Sequence, residues 1–180
     1  MRSLSEIETT VKRASRAIGF SWGVAEEIAK SIRLLELFGL PGIKNINQYY
    51  EDKKNKKFEN LNLITEKNSS YSNFFCPVNL GINFLDQVNL VEQFKKIQFN
   101  NVAYPIILLS FLSRASEIIG KKIYVKIDEN EILLNLNVNI CSNIYNKEFP
   151  KIGKDIDVIF RENQDSFTDS EWKNLYKLSE

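Results

Sequence analysis

The stretch of sequence that decides the fold covers residues 104–128 and reads YPIILLSFLSRASEIIGKKIYVKID. Pro105 suits the first turn of a helix, because the N–H that proline lacks would be unpaired there in any case. Gly120 then supplies a typical helix end. Apolar side chains occupy nearly every position between these two residues, on all sides of the helix. This pattern predicts a helix buried at the centre of the protein.

A change of period after this helix predicts a β-hairpin. Ile123, Val125 and Ile127 alternate with other residues, residues 128–131 form the turn, and the chain returns with apolar side chains on one face. The returning face consists of Ile132, Leu134, Leu136, Val138 and Ile140. Further short strands are predicted at residues 95–101 and 156–160. A central helix beside hairpin-connected strands indicates an α+β fold with a mostly antiparallel sheet.

The N-terminal third has the pattern of a helix hairpin packed on this core. Ser3 and Glu6 form an S-x-x-E capping box, Gly19 ends the first helix, and Ser21 can cap a second one. The second helix is expected to end at Gly39, because the Pro41–Gly42 pair that follows prevents its continuation. Residues 43–52 are predicted to form a short third helix.

Other segments give weaker or alternative predictions. Apolar side chains at every second position over residues 74–84 are typical of a half-buried strand, whereas a helix that begins at Pro77 fits the same residues. Residues 66–73 are rich in turn-forming residues and are predicted to be a loop. Thr168 and Glu171 form a second capping box, which predicts a C-terminal helix. This helix carries Trp172, Leu175 and Leu178.

Length and charge limit the classes of function. We expect one globular domain over residues 1–180, since this length is usual for one domain and short for two. The chain has 24 Lys and Arg against 23 Asp and Glu, which argues against a nucleic-acid partner and against a polybasic membrane anchor. The basic run at residues 53–57 has acidic neighbours on both sides, and we interpret residues 51–60 as a solvated surface.

The absence of histidine excludes several kinds of site. Ser-His-Asp and Cys-His catalysis and histidine-ligated zinc all need this residue. Cys76 and Cys141 are too few for a four-cysteine metal site, so we expect no metal and no cofactor. Residues 102–112, the longest apolar stretch, are too short to span a bilayer, and residues 1–6 lack the apolar run of a signal peptide. We therefore expect a cytoplasmic protein that binds no membrane.

The segment WGVAEE at residues 22–27 supplies most of the candidate ligand-binding residues. Trp22 would stand at the start of the second helix, where backbone N–H groups can bind an anion. Glu26 and Glu27 could meet Arg13 or Arg16 across the hairpin. The interpretation that we favour is structural, with the Trp22 ring mostly buried and the charges in a surface ion-pair network. The full candidate set consists of Trp22, Glu26, Glu27, Arg33 and Arg114.

Cys76 is a weaker candidate, for a reactive thiol. Nucleophilic cysteines need a nearby cation or a helix N-terminus, and no histidine is available to provide the charge. We favour a buried core thiol at an alternating strand position instead, because free cysteine is commonly buried. Asp155 and Asp157 would share one face of a strand, where they could hold a divalent cation or form an acid–base pair. An exposed strand face is the favoured interpretation.

Several segments resemble a bacterial family that is catalogued as a domain of unknown function. They read SLSEIE at 3–8, KRASRA at 12–17, WGVAEE at 22–27, GLPG at 39–42 and YPIILLSFLSRA at 104–115. These segments spread the resemblance over most of the chain. It implies no activity, cofactor or catalytic residue, so none is assigned on this basis.

Two classes of function follow from these observations. The one we favour is a non-catalytic accessory or protein-interaction protein, because the usual catalytic, metal and nucleotide motifs are absent. The alternative is a small-molecule binding protein or a metal-free enzyme that uses carboxylates and arginines near Trp22. A polar-lined pocket that collects those residues would support the alternative, and a flat apolar surface would support the first class.

Overall fold

The computed structural model describes residues 1–137, 139–143 and 148–180, so Val138 of the predicted hairpin face lies outside the described residues. The described residues form the helices α1 (Leu4–Ile18), α2 (Trp22–Leu37), α3 (Gly42–Lys53), α4 (Pro77–Asp86), α5 (Val88–Val91), α6 (Pro105–Ile119) and α7 (Asp169–Ser179). Their strands are β1 (Lys67–Ser69), β2 (Lys96–Ala103), β3 (Lys122–Ile127), β4 (Asn130–Leu134), β5 (Ile140–Ser142) and β6 (Ile152–Arg161). The predicted α+β class is confirmed.

The strands form a sheet in the order β1-β2-β6-β3-β4-β5, in which β1 and β2 are parallel and the other neighbours are antiparallel. β6 lies between β2 and β3, with Val158 opposite Ile97 on one side and Val125 on the other. Directly opposite side chains share a face, so these buried residues build one apolar surface. Asp157 points to the other face, where its carboxylate lies 3.4 Å from Lys96 Nζ.

The position of α6 explains why it is apolar on all sides. Leu108, Leu109 and Leu112 pack into the cluster that covers the sheet. Ile107 and Phe111 pack into a second cluster, which contains buried residues of α1, α2 and α3. The helix therefore lies between the sheet and the N-terminal helices, as its composition predicted.

The predicted helix hairpin is present and capped as the sequence indicates. Ser3 Oγ accepts a hydrogen bond from the Glu6 N–H at 3.1 Å, and Ser21 Oγ accepts one from the Val24 N–H at 3.3 Å. Gly19 ends α1 with a φ of 114°, which a residue with a side chain rarely adopts. The short turn that follows places α2 directly against α1.

The segment at residues 74–84 forms a helix, so its strand interpretation is wrong. α4 begins at Pro77, with Cys76 as its N-cap. The strand-like alternation arises because both faces of the helix are apolar: Leu80 and Phe84 lie in the cluster that covers the sheet, while Val78 lies in the cluster of the N-terminal helices. Of the predicted strand, Phe75 alone makes bridges, to Glu59 and Val102.

α4 approaches α6 unusually closely. A Cβ built on Gly81 would lie 2.2 Å from Cδ2 and 2.9 Å from Cβ of Phe111, well inside van der Waals contact. Only a glycine lets the two helices pack at this distance. Gly81 therefore sets the position of α4, and with it one wall of the pocket described below.

Two other predictions need correction. Residues 66–73 contain the short strand β1, because Asn68 donates a side-chain hydrogen bond to Gln98 O at 3.0 Å and holds the segment beside β2. The hairpin turn is shorter than residues 128–131, since Ile127 and Asn130 already pair. The returning strand ends at Leu134, where the Asn135 N–H bonds to Asn139 O at 3.0 Å and the chain turns into β5.

The C-terminal helix α7 is capped as predicted but carries no buried residue. Thr168 and Glu171 make both hydrogen bonds of the capping box. Every side chain from Arg161 to Glu180 is exposed. None of the helices in the described part of the chain has the length and apolar character that crossing a bilayer requires.

Candidate functional site

Trp22 is the first residue of α2, and its side chain is 59% exposed. The expectation that its ring would be mostly buried is wrong. The ring lies against the cationic side of α1 rather than its apolar side: Arg16 Cζ is 4.5 Å and Lys12 Nζ 5.6 Å from the ring centroid. These distances are typical of cation–π contacts.

The charged candidates near Trp22 are held in separate ion pairs. Glu26 Oε1 lies 2.7 Å from Lys12 Nζ, so its partner is neither Arg13 nor Arg16 as the sequence suggested. The hydrogen bond from Lys12 lowers the pKa of Glu26. On another part of the hairpin, Arg33 Nη1 lies 3.1 Å from Glu8 Oε2. Both pairs cross from α1 to α2 and fasten the hairpin.

Glu27 and Arg114 form a third pair, between α2 and α6. Their side chains make a direct ion pair, and Arg114 Nη1 also donates to Ser31 Oγ and to the Glu27 carbonyl, each at 3.2 Å. Burial alone would raise the pKa of Glu27, but the hydrogen bond and charge of Arg114, together with Lys30, outweigh it and lower this pKa. The pair ties the hairpin to the central helix.

Cys76 is buried, as favoured from the sequence, but it stands at a helix start rather than in a strand. Its side chain is 5% exposed. Sγ accepts a hydrogen bond from the Asn79 N–H at 3.4 Å and lies 2.8 Å from the hydroxyl of the fully buried Tyr49. The thiol thus acts as the N-cap of α4 in the position where Ser or Asp is common.

A cavity of about 520 Å³ lies beside Cys76 and contains none of the five ligand-binding candidates. The turn before α2, helix α3, residues 56–60 and the first half of α4 enclose it. Its apolar walls consist of Phe20, Val24, Tyr49, Phe58, Val78 and Ile82. Three lysines also line it, Lys53, Lys56 and Lys57, the last two with exposed side chains. We call this cavity the lysine-rimmed pocket.

The lysines of this pocket are largely free of counter-charges. Lys53 Nζ lies 4.3 Å from the centroid of the Phe20 ring, and Lys56 is 4.0 Å from Asp52. Lys53 and Lys57 form no ion pair with any described residue. The described lining contains no Asp or Glu. The pocket therefore combines an apolar interior with a positive edge.

Two asparagines give the pocket a fixed wall. Asn79 Oδ1 accepts from the Leu61 N–H at 2.8 Å, and Asn83 Nδ2 donates to the Leu61 carbonyl at 2.9 Å. The two bonds hold the segment after Phe58 against α4. Because both partners of Leu61 come from a helix, the wall is formed before any ligand arrives.

The pKa values of two buried phenols near Cys76, those of Tyr49 and Tyr50, are raised. Burial raises the pKa of Tyr49 far above its ordinary value, and the neighbouring Cys76 raises it further. Burial also raises the pKa of Tyr50 to about 12, against a lowering effect of its hydrogen bond with Ser15. Among the described residues no three His, Cys, Asp or Glu side chains are grouped as a metal site would need. With three lysines and no Asp or Glu among its described residues, the lining is suited to an anion.

The sequence shows the three pocket lysines but does not predict that they line a pocket. Residues 51–60 were interpreted as a solvated run whose acidic neighbours balance the lysines. In the structure Asp52 accepts a hydrogen bond from the Tyr104 hydroxyl and lies 4.0 Å from Lys56, and Glu51 pairs with Lys54 at 2.8 Å. Lys53 and Lys57 therefore have no carboxylate partner among the described residues. The sequence feature that could have indicated the pocket is Phe58, an aromatic residue directly after the basic run that lines the cavity.

Residues 2–74 match a family model described as "Protein of unknown function (DUF3726)". The predicted resemblance to a family of unknown function is confirmed for this segment. The matched residues cover α1, α2, α3 and the three pocket lysines, but end before α4. The segment at 104–115, which also contributed to the resemblance, lies outside them. No curated protein and no solved structure matches the chain.

Proposed function

We propose that this protein is a non-catalytic binding protein that takes a small amphipathic anion into the lysine-rimmed pocket. The observation that carries the proposal is the composition of the lining: apolar side chains inside, three lysines at the edge and no carboxylate among the described lining residues. This is the small-molecule alternative raised by the sequence, at a different place from the carboxylate–arginine set near Trp22.

The size and chemistry of the pocket define the ligand class. A volume of about 520 Å³ lies within the range of pockets that hold small organic ligands. Aromatic and aliphatic walls favour an apolar body, and lysine ammonium groups bind carboxylate or phosphate as point charges. We therefore propose a ligand with one apolar part and one carboxylate or phosphate group. Nucleic acid and membrane surfaces remain outside the proposal, because the net charge of the chain is only +1.

Calorimetric titration with three probes of equal chain length tests the proposal. We expect decanoate and decyl phosphate to bind, and decyltrimethylammonium, which has the opposite charge, to bind much more weakly. The double variant Lys53→Gln/Lys57→Gln should weaken binding of both anions about tenfold, which corresponds to about 1.4 kcal/mol. Comparing the carboxylate with the phosphate identifies the preferred head group.

Lys54→Gln is the matched control for these titrations. Lys54 belongs to the same basic run but pairs with Glu51 and does not line the pocket. Its removal should leave anion affinity within about twofold of the parent, because its exposed charge is already paired with Glu51 and screened by solvent. Equal binding of the cationic and anionic probes, or an equal effect of both variants, would refute the proposal.

A second candidate, protein interaction, is favoured by one specific observation. α7 exposes Trp172, Leu175, Tyr176 and Leu178 to solvent. An apolar stripe on an exposed helix is the usual form of a segment that inserts into a groove. This candidate is the function we favoured from the sequence.

A further inference from the structure

The apolar side of α7 is largely exposed to solvent. Trp172, Leu175 and Tyr176 follow helical spacing and so project from one side of the helix, and each is more than half exposed. Helices of this length, 11 residues, are marginal in water unless an apolar face packs against something. The apolar face of α7 therefore needs a surface to pack against.

The segment before and into α7 has the charge that the lysine-rimmed pocket lacks. Residues 162–172 contain Glu162, Asp165, Asp169 and Glu171 and no Lys or Arg. The same segment carries the aromatic pair Phe167 and Trp172, whose rings stack with centroids 5.6 Å apart. It therefore combines acidic and aromatic side chains, as the pocket combines lysines with an apolar interior.

The charge difference extends to the rest of the chain. Residues 162–180, which we call the C-terminal arm, contain five carboxylates and two lysines. Residues 1–161 contain 22 Lys and Arg against 18 Asp and Glu. The arm is therefore acidic and the remainder of the chain is basic, so attraction between them draws the arm toward the pocket edge.

We propose that the C-terminal arm of one copy docks into the lysine-rimmed pocket of a second copy, with its Phe167–Trp172 pair in the apolar interior and its carboxylates on Lys53, Lys56 and Lys57. The proposal rests on the proposed function in that both use the same pocket. Two copies that exchange arms satisfy both pockets at once, so the assembly closes as a dimer. Arm and anionic ligand then compete for one site.

The available surface is sufficient for such an exchange. Full burial of an aromatic side chain removes roughly 150–250 Å² from water, and Phe167, Trp172 and Tyr176 are 45–56% exposed, so those of two arms contribute about 450–750 Å². The pocket surfaces that cover them contribute a similar area, which brings the total to about 900–1,500 Å². A specific interface needs about 1,000 Å² or more in total. Two exchanged arms therefore bury enough area for a stable dimer.

Sedimentation equilibrium over a concentration series tests the exchange on the full chain. We expect a dimer for the parent protein, and a monomer for the arm variant Phe167→Ala/Trp172→Ala and for the pocket variant Lys53→Glu/Lys57→Glu. Asn174→Ala and Lys54→Glu are the matched controls, because Asn174 lies on the polar side of α7 and Lys54 does not line the pocket. Both controls should remain dimeric, and excess decanoate should convert the parent dimer to monomer.

An equimolar mixture of the arm and pocket variants distinguishes docking from a general disturbance. The arm variant has an intact pocket, and the pocket variant has an intact arm. We therefore expect a heterodimer in which one arm docks into one pocket, with lower affinity than the parent dimer. A parent chain that stays monomeric throughout the series overturns the proposal, as does a dimer that persists in the arm variant. Decanoate binding by a monomeric parent would then leave the proposed function standing alone. If the parent dimerises and both the arm variant and the pocket variant are monomeric, but the parent binds no anion, the proposed function would instead be refuted.

Discussion

The Trp22 surface and the lysine-rimmed pocket are built from the same kinds of residue but differ in how their charges are used. In each, a cation lies over an aromatic ring: Arg16 over Trp22, and Lys53 over Phe20. At the Trp22 surface Lys12, one of the two cations on the ring, is already paired with Glu26. At the pocket Asp52 bonds to Tyr104 and is only 4.0 Å from Lys56, and Glu51 pairs with Lys54, so Lys53 and Lys57 have no ion pair with any described residue. Whether a cluster of cations can bind a ligand thus depends on whether the neighbouring carboxylates pair with those cations or with other groups.

The largest expected change in the free energy of unfolding is at Gly81, where one wall of the pocket packs against the core. Gly81→Ala places a Cβ against the Phe111 side chain and must push α4 away from α6. Overpacking of this kind costs about 1–3 kcal/mol, and we expect about 3 kcal/mol here because the clash involves Phe111 Cβ as well as its ring. Denaturant unfolding measures the change, and anion binding should weaken in parallel as the wall moves.

Gly23→Ala is the control on the Trp22 side of the comparison. A Cβ at Gly23 meets nothing within 4 Å, and the residue lies in the first turn of α2. Its substitution should leave stability unchanged or raise it by up to about 1 kcal/mol, from helix propensity. If both alanine variants unfold at the same denaturant concentration, the close α4–α6 contact is not what positions the pocket wall.

An intermediate change in the free energy of unfolding is expected for the Glu27–Arg114 pair, where the hairpin meets α6. Glu27→Gln removes the charge that Arg114 faces and should destabilise the protein by about 1–2 kcal/mol, because this pair is only partly exposed. The pKa of Glu27 is lowered in the folded state, so its contribution is fully present above the ordinary value of 4.5 and is lost as the pH falls below it. Unfolding measured from pH 7 down to pH 3 should show this loss in the parent and not in the variant.

Glu26→Gln provides the comparison for this pH series. Glu26 also has a lowered pKa, but its ion pair with Lys12 is more exposed to solvent than the Glu27–Arg114 pair. We therefore expect no resolvable change in unfolding at neutral pH. A larger effect for Glu26 than for Glu27 would contradict the difference in burial between the two ion pairs.

The smallest effect is expected at Trp22. Trp22→Ala removes an exposed ring and its cation contacts, which are worth about 0.5–1 kcal/mol at an exposed site. Truncation of a buried Trp would cost about 3–5 kcal/mol, so denaturant unfolding separates the two situations clearly. A loss in the larger range would mean that the ring packs into the core rather than lying on α1.

Elements with local signals were predicted well from the sequence. α6 begins at Pro105 and ends before Gly120 as predicted, and the caps at Ser3, Ser21 and Thr168 are all present. Residues 74–84 were ambiguous because a short apolar run that packs on two clusters satisfies the period of a strand as well as that of a helix. Packing against Phe111 through Gly81 removes this ambiguity, and no local pattern contains that contact.

The amino-acid sequence by itself determined the α+β class, the capped helices and the buried position of α6, because caps and periodicity act between residues that are close along the chain. The tertiary structure alone decided the pocket. Two of its three lysines, Lys53 and Lys57, have no carboxylate partner among the described residues, while Asp52 bonds to Tyr104, 52 positions away. Its wall is held by bonds between Leu61 and the side chains of Asn79 and Asn83. Such pairings depend on how the elements pack against one another, and this is why the same basic run reads as solvated surface in the sequence and forms a pocket edge in the fold.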